Sequence, residues 1–269
     1  MSMRILWQDI FPEVVTTYPN IELVREAVLK IVPKIVRADT KVVPGFVDKF
    51  CCNVNYHYLE MLNITQMIDR ALRAEREGYD AVIMGCAYDP GVRQSRGLLS
   101  IPVLGPLESS MLLAQMLGNK VGIVFPIANA EPLLEEKLHN LNFDHLLIAN
   151  KPVRVCGYWE PLIQSLRGDM KPLLAAFEPV ARSLIEDGAN VIVIACAFFG
   201  LPFTLAGYHE VPGTGVPVID IAVSALKMAE MLVDLHKSIG LTRSTSHTSP
   251  YQQPPVDMLA EARRNFGLK

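Results

Sequence analysis

Short apolar runs alternate with longer amphipathic stretches along the whole chain. Four of the runs predict strands, and they are Arg4–Trp7, Ala81–Met84, Val121–Phe125 and Val191–Ile194. Continuous apolar character over such short runs is typical of strands that are buried on both faces, as in a parallel sheet. The amphipathic stretches between them predict helices. The pattern as a whole therefore predicts an α/β fold in which helices cover mostly parallel sheets.

Two blocks of this pattern occur twice, in the same order. Gly78–Ala87 aligns without gaps with Gly188–Ala197, and Ile101–Gly105 aligns with Val216–Asp220, at offsets of 110 and 115 residues. A helical stretch precedes each copy of the first block and another follows each copy of the second: Met67–Glu77, Pro179–Asp187, Glu108–Leu117 and Ala222–Leu235. Gly78 and Gly188 directly follow a predicted helix and suit its C-cap. One such match arises by chance, but two in the same order indicate an internal duplication. We therefore expect two similar lobes related by a pseudo-twofold axis, with equivalent residues facing each other between them.

Each copy of the first block carries a cysteine near its end, Cys86 in one and Cys196 in the other. Both cysteines follow a buried strand where the chain turns toward a helix, and this carboxyl edge of an open α/β sheet is where ligands bind. Free N–H groups and partial positive charge at a helix N-terminus favour a thiolate. A lone cysteine often only packs in a core, but the matched placement of this pair favours a role in chemistry. Cys51, Cys52 and Cys156 have no symmetry partners and are expected to be core or surface thiols.

Two thiols that face each other can invert a carbon acid. One group removes the Cα proton from one face and the other supplies a proton to the opposite face. Racemisation in both directions requires that each group can act as acid or base, which suits thiols with a pKa of about 8.5. Backbone N–H groups after each cysteine would hold the enolate oxygen.

The residues that follow the two cysteines carry different local signals. Asp89 suits an N-cap and Pro90 suits the first position of a helix, so we expect Asp89 to cap the helix that follows it. The stretch Phe198–Pro202 has no polar cap, and its backbone donors are expected to remain available to a ligand.

Several of these segments resemble the aspartate/glutamate/hydantoin racemase superfamily, and its hydantoin and allantoin racemase branch most closely. The resemblance rests on Cys86–Gly91, Ile101–Gly105 with Glu108, Gly188–Ala197, Val216–Asp220, and the ending from Gly240 through Tyr251 to Pro255. It spans nearly the whole chain. It implies a two-lobed α/β fold with the active site in the cleft between the lobes, catalytic cysteines at Cys86 and Cys196, and no metal, pyridoxal or nucleotide cofactor.

The resemblance also implies a division of the chain and a set of substrate contacts. In this fold the helix after each Pro-Val strand crosses into the other lobe, so residues 1–105 with 221–269 form the first lobe and residues 106–220 the second. The substrate-binding positions implied by the match are Gln8, Ala87, Tyr88, Phe125, Ala197 and Phe198.

At some of these positions the chain departs from its superfamily. Amino-acid racemases follow their cysteines with Asn-Thr or Thr, which grip the α-carboxylate, whereas this chain has Ala87-Tyr88 and Ala197-Phe198. The hydantoin branch usually has Asn-Pro-Asn after its first strand, where this chain has Gln8-Asp9-Ile10. Free aspartate or glutamate is therefore a poor candidate substrate, and several substrate contacts are expected to be aromatic.

The composition limits the classes of partner that we expect for this protein. The chain has 269 residues with 25 Lys and Arg against 28 Asp and Glu, a net charge of -3, so nothing indicates a nucleic-acid surface. No apolar run is long enough for a membrane helix. Five irregularly spaced cysteines do not indicate a disulfide framework and favour a reducing cytoplasm. We expect a small-molecule substrate and a homo-oligomer, with neither nucleic acid nor membrane as a partner.

Other functions remain open from the residues alone. Within the superfamily, a cysteine pair can drive cis–trans isomerisation by covalent addition to an activated alkene, and decarboxylases of the same fold need one of the two thiols. A two-lobed ligand-binding protein without chemistry is the alternative outside enzymes. The chain has no His-Glu-x-x-His, Gly-x-Gly-x-x-Gly or Gly-x-Ser-x-Gly motif, so metal, nucleotide and serine-hydrolase sites lack support.

Overall fold

The computed structural model describes residues 2–14, 20–49, 55–157 and 159–268 of the chain. Cys51 and Cys52 lie outside these ranges. The N-terminal half contains strands β1 (Met3–Gln8), β2 (Thr40–Gly45), β3 (Ala81–Met84) and β4 (Val103–Leu104), with helices α1 (Ile21–Ile35), α2 (His57–Arg76) and α3 (Val92–Arg96) between them.

The rest of the chain repeats this alternation with more elements. Its strands are β5 (Val121–Phe125), β6 (Val153–Val155), β7 (Val191–Ile194), β8 (Glu210–Val211) and β9 (Val216–Asp220). Its helices are α4 (Pro106–Leu117), α5 (Glu131–Asn140), α6 (Trp159–Leu166), α7 (Lys171–Glu186), α8 (Ala197–Leu205), α9 (Ile221–Ile239) and α10 (Val256–Asn265), with a short 3-10 turn at Asp144–Leu146.

The strands form two sheets of the same order. The first sheet is β2-β1-β3-β4, and all its pairs are parallel. The second is β6-β5-β7-β9-β8, in which the first four strands are parallel and β8 pairs antiparallel with β9 at the edge. The strands that precede the two cysteines, β3 and β7, take equivalent central places. The two-lobed α/β fold expected from the duplication is confirmed.

Two long helices connect the lobes. Helix α4 follows β4 of the first sheet but packs against β7 and β9 of the second. Helix α9 follows β9 of the second sheet and packs against β3 and β4 of the first, where its Ala225, Leu226 and Ala229 are buried. From these contacts we infer that the lobes divide near residues 105 and 220.

The predicted strands agree closely with the structure, but two helices begin earlier than predicted. Helix α2 begins at His57 rather than Met67, and α7 begins at Lys171 rather than Pro179. Pro179 lies inside α7, whose apolar face extends back to the buried Leu173 and Phe177. The helices end as expected in left-handed glycines, since Gly78 and Gly188 have φ angles of 76° and 99°, although each stands one residue past the C-cap itself, Glu77 or Asp187.

The core consists of apolar layers on the faces of both sheets. Its largest fully buried side chains include Phe125, Phe177, Phe199 and Phe203. In the described ranges, no helix combines the length and the apolar character needed to cross a bilayer.

Candidate active site

Both predicted thiols lie just past the carboxyl ends of the central strands. Cys196 is the N-cap residue of α8, and its carbonyl accepts the N–H of Gly200 at 3.0 Å. Cys86 follows β3 in a tight turn, in which the N–H of Asp89 donates to the Cys86 carbonyl at 3.0 Å. Both side chains are partly exposed.

The thiol of Cys196 experiences opposing influences. Burial raises its pKa to about 11, although hydrogen bonding from the backbone of Phe199 and Phe198 lowers it. The negative charges of Asp220 and Asp9 raise it further. The sequence predicted that the helix N-terminus would favour the thiolate, but burial outweighs this effect and the net shift is upward. The backbone donors of Phe198 and Phe199, which we expected to remain available to a ligand, interact with the sulfur instead.

The thiol of Cys86 is shifted in the same direction by different neighbours. Burial raises its pKa, and hydrogen bonding from the backbone of Tyr88 opposes that rise. Negative charge on Cys196, Glu60 and Asp89 raises it further. The charge of Cys196 is thus one of the influences on the Cys86 thiol.

Asp89 caps a helix, but a different one from that expected. Helix α3 begins at Val92 with Gly91 as its N-cap, and Asp89 has a φ of 47°. The carboxylate of Asp89 accepts the N–H of Leu107 at 2.9 Å and that of Glu108 at 2.8 Å. Asp89 therefore caps α4, the helix that follows the neighbouring strand. The expectation that Pro90 opens a helix is wrong, because the tight turn of Cys86 continues through Gly91.

Gln8, the predicted polar contact from the first loop, is the last residue of β1 and is completely buried. Its Nε2 donates to the carbonyl of Asp9 at 2.9 Å, and its Oε1 has no hydrogen-bond partner among the described residues. Its contact with a substrate stays a prediction.

The aromatic positions implied by the family resemblance fall in two environments. Tyr88 and Phe125 are both 2% exposed and pack in one core cluster with Ala87, with ring centroids 5.9 Å apart. The Tyr88 hydroxyl hydrogen-bonds the Asn55 Oδ1 at 3.1 Å. Phe198 is only partly buried and stacks on Phe11 at a centroid distance of 6.2 Å.

A cavity of about 390 Å³ lies beside Phe198. It runs between α1, β2 and the first turns of α8 and α9, and its wall is mainly apolar, with Trp7, Phe46, Ala197, Leu201 and Val223 among its residues. Asp9 lines it at the carboxyl end of β1. Two of the predicted contacts, Ala197 and Phe198, thus line this cavity.

Sequence reasoning did not associate three groups with the thiols, although the burial of Cys156 agrees with the expectation of a core or surface thiol. Asp9 is buried, which raises its pKa to about 6, although the Phe11 N–H and the charge of Arg25 lower it. Cys156 follows β6, and burial, then the charge of Cys196, raises its pKa to about 12. Asp9 could have been predicted from its position directly after β1, because that position lies at the carboxyl edge of the sheet, as the cysteines do.

The third missed group is a pair of charges that joins the lobes. Glu60 of α2 is buried and lies 2.9 Å from the Lys137 Nζ of α5. A buried ion pair between two distant helices has no local sequence signal. Within the part of the chain that the structure describes, no group of three His, Cys, Asp or Glu residues could hold a metal ion.

Known proteins share both the sequence and the fold. The profile of the Asp/Glu/Hydantoin racemase family matches residues 58–229. A hydantoin racemase from a Pseudomonas species (strain NS671) is 30% identical over 236 residues, which are 86% of this chain and 87% of that protein.

Solved structures agree at the level of the fold. An allantoin racemase from Klebsiella pneumoniae superimposes with a TM-score of 0.74 at 23% identity and covers 94% of both chains. An allantoin racemase from Pseudomonas fluorescens gives a TM-score of 0.72 at 23% identity over 94% of this chain and 97% of its own. The chain therefore belongs to the Asp/Glu/hydantoin racemase family, in its hydantoin racemase branch, and is an isomerase of the racemase type.

Proposed function

We propose that this racemase inverts the stereocentre of a 5-substituted hydantoin or a related ureide, with Cys86 and Cys196 as alternating acid and base. The observation that carries the proposal is the matched pair of thiols. Each follows a central strand of one lobe, each interacts with backbone donors, and the charge of one raises the pKa of the other. The named activities of the relatives support the substrate class.

The proposed reaction moves one proton in and one proton out. A thiolate removes the Cα proton, so the C–H bond breaks, an S–H bond forms, and the electron pair moves into the adjacent carbonyl as an enolate. The opposite thiol then gives its proton to the other face, which forms the new C–H bond and leaves the electron pair on that sulfur. The net charge of the pair is unchanged, and the reverse reaction exchanges the two roles.

The charge of Cys196, which raises the pKa of Cys86, supports this assignment of one acid and one base. Two like charges in one site oppose each other, so the doubly ionised pair is disfavoured and the singly ionised pair persists over a wide pH range. One thiolate and one thiol are the states that the reaction requires. Since the pKa of Cys196 is about 11 and that of Cys86 is higher, the rate should increase as pH rises above neutrality.

Charge in the site supports a neutral substrate. Asp9, with a pKa of about 6, is ionised at neutral pH close to Cys196, and its charge opposes the carboxylate of a free amino acid. A hydantoin ring is neutral and offers N–H donors, and its Cα hydrogen is more acidic than that of an amino-acid anion. The mainly apolar cavity beside Phe198 suits an apolar substituent at the ring.

Serine variants of the two cysteines test the proposal. With benzyl- and isobutyl-substituted hydantoins and allantoin as substrates, Cys86→Ser and Cys196→Ser should each lower racemisation at least ~100-fold, the scale of a positioned acid–base group. Each variant should still exchange solvent deuterium into one enantiomer, and the two variants should prefer opposite enantiomers. Cys156→Ser, which replaces the third thiol near the site, is the matched control and should keep near-native racemisation.

The outcomes separate the alternatives. Full racemisation in both serine variants contradicts the two-thiol reaction. Loss of activity in only one variant indicates single-thiol chemistry, as in the decarboxylase alternative. Faster turnover of free aspartate and glutamate than of the hydantoins contradicts the substrate class.

A further inference from the structure

Each lobe holds one carboxylate between the cysteine-bearing element and the helix that follows the neighbouring strand. In the first lobe this is Asp89, three residues after Cys86, whose oxygens accept the N–H groups of Leu107 and Glu108 in the first turn of α4. The carboxylate thereby ties the turn of Cys86 to α4.

In the second lobe the corresponding carboxylate is Asp220, at the end of β9. Its Oδ1 accepts the N–H of Ala222 at 2.8 Å, and it also interacts with the backbone of Val223 in the first turn of α9. Its Oδ2 accepts the hydroxyl of Thr204 at 2.8 Å, and Thr204 lies on α8, the helix that begins after Cys196. Asp220 thereby ties the cysteine-bearing helix to α9.

The capped positions are equivalent in the duplication. The offset of 115 residues that aligns the second blocks also aligns Leu107 with Ala222 and Glu108 with Val223. The carboxylates themselves are not equivalent, because the same offset aligns Asp220 with Gly105. The same cap is therefore supplied from different strands in the two lobes.

A glycine stands opposite each carboxylate. A Cβ on Gly105 would lie 2.3 Å from the Asp89 carboxyl carbon, and a Cβ on Gly200 would lie 2.6 Å from that of Asp220. Neither glycine has a positive φ, so its role is to leave room and not to allow a special backbone conformation. Gly105 and Asp220 are equivalent at the offset of 115 residues, whereas Asp89 aligns with Phe199, one residue before Gly200, at the offset of 110. In the first lobe the carboxylate therefore comes from the cysteine-bearing segment and the glycine precedes the capped helix, and in the second lobe the reverse holds.

We propose that Asp89 and Asp220 are functionally equivalent positioning residues, each of which orients the thiol of its own lobe, Cys86 or Cys196, by tying its turn to the helix that follows the neighbouring strand. This inference rests on the two-thiol reaction proposed above. The charge of each aspartate raises the pKa of its own thiol, so it does not activate the thiolate. Its contribution is to geometry, and a misplacement of about 1 Å at a reacting group can lower the rate about 100-fold.

Exchanging Asp89 with Gly105 in the first lobe tests whether Asp89 and Asp220 are functionally equivalent. Asp89→Gly alone removes the cap of α4, and Gly105→Asp alone forces a second carboxylate against Asp89, so both single variants should lose racemisation by about 10- to 100-fold. The double variant places the carboxylate directly before α4, as Asp220 stands before α9, and puts glycine at a position whose φ is already positive. It should regain at least ~10-fold over the poorer single variant, the expected cost of losing a positioned group. A double variant as poor as both singles overturns the proposal.

The conservative variants Asp89→Asn and Asp220→Asn show whether each carboxylate acts through its own thiol. Deuterium exchange is measured on each enantiomer of a benzyl-substituted hydantoin, beside Cys86→Ser and Cys196→Ser. Asp89→Asn should impair the same enantiomer as Cys86→Ser, and Asp220→Asn the same enantiomer as Cys196→Ser. Equal impairment of both enantiomers, which a merely structural role produces, overturns the proposal.

A readout independent of turnover accompanies these measurements. The pH dependence of alkylation at each cysteine, followed by mass spectrometry, should shift toward lower pH at Cys86 in Asp89→Asn and at Cys196 in Asp220→Asn, because one negative charge is removed beside each. Equal shifts at both cysteines contradict the pairing. If the serine variants show no opposite preference, the two-thiol reaction fails; if they do and the aspartate variants do not, only the positioning role fails.

Discussion

The turns of Cys86 and Cys196 occupy equivalent places in the two sheets but are built differently. Cys196 begins a regular helix and interacts with the backbone of two residues, Phe199 and Phe198. Cys86 lies in an irregular turn, and among the main influences on its pKa the backbone donor is that of Tyr88. The additional donor at Cys196 accompanies a smaller upward shift. The two thiols thus lie at equivalent places, and while burial raises both pKa values, the local backbone offsets that rise to different extents.

The carboxylates around the thiols extend this comparison. Cys86 has Asp89 and Glu60 nearby, and Cys196 has Asp220 and Asp9. Glu60 is paired with Lys137 from the other lobe, whereas Asp9 is held within its own lobe by the N–H of Phe11. Two negative charges beside each thiol raise both pKa values, so the environment favours strongly basic thiolates. A strong base is suited to removing a weakly acidic Cα proton.

Loss of the ion pair on the Cys86 side should have the largest effect on stability. Lys137→Met leaves the buried Glu60 charge uncompensated and should lower the free energy of unfolding by about 3 kcal/mol, as measured by urea denaturation. The control is His57→Ala, which removes the exposed pair of His57 with Glu136 at 3.4 Å and should cost less than about 0.5 kcal/mol. Equal effects of the two variants would show that the buried pair does not hold the lobes together.

Substitution of the glycines opposite the two aspartates should have the next largest effect on stability. Gly105→Ala and Gly200→Ala introduce a Cβ at 2.3 Å and 2.6 Å from a hydrogen-bonded carboxyl group. Each should lower the free energy of unfolding by about 1–3 kcal/mol through overpacking, with the larger loss at position 105. Gly157→Ala is the matched control, because a Cβ there meets nothing within 4 Å. If thermal denaturation shows the same loss of stability in all three variants, the steric argument is contradicted.

The sequence allowed the fold and the position of the thiols to be predicted because both have local signals. Strands β3 and β7 are continuous apolar runs, and Gly78 and Gly188 end the preceding helices in the left-handed conformation. The early start of α2 was missed because its first turns include the buried polar residues Glu60 and Asn63, which break the apolar periodicity.

Long-range contacts had no local signal. Asp89 caps a helix that begins 17 residues later, after another strand, so its role depends on how β3 and β4 pair. Similarly, the net pKa shift of Cys196 depends on burial by distant residues, which sequence position alone does not reveal. The helix N-terminus was predicted correctly, but its electrostatic effect was not large enough to decide the direction.

The different backbones of the two thiol turns predict an order of ionisation. Cys196, with a pKa of about 11, should react with iodoacetamide faster than Cys86, by about 10-fold for each unit by which the pKa of Cys86 is higher. Mass spectrometry of peptides from a pH series of short exposures measures both rates, with Cys156 as the buried reference thiol. Faster labelling of Cys86 would reverse the comparison between the two turns.

Replacement of Asp9 should have the smallest effect, and it tests the influence of a single charge on the reactivity of Cys196. Since the ionised carboxylate raises the pKa of Cys196, Asp9→Asn should lower that pKa and increase the thiolate fraction at a given pH. The exposed carboxylate of Asp48 on the same lobe provides the control, Asp48→Asn, which should leave the reactivity of Cys196 unchanged. Labelling with a dithiodipyridine reagent, which reacts with thiols even in acid, measures the effect across the titration of Asp9.

The size of this effect depends on pH in a defined way. Above about pH 6 the Asp9 carboxylate of the native protein is ionised, so labelling of Cys196 should be about 2- to 5-fold faster in Asp9→Asn than in the native protein. Below that pH the native carboxylate is protonated and carries no charge, so the two proteins should react at the same rate. A difference that persists at about pH 4 would show that Asp9 affects Cys196 through packing or hydrogen bonding instead of charge, since the carboxylate is by then neutral. The point at which the two rate profiles converge therefore reports the pKa of Asp9 itself.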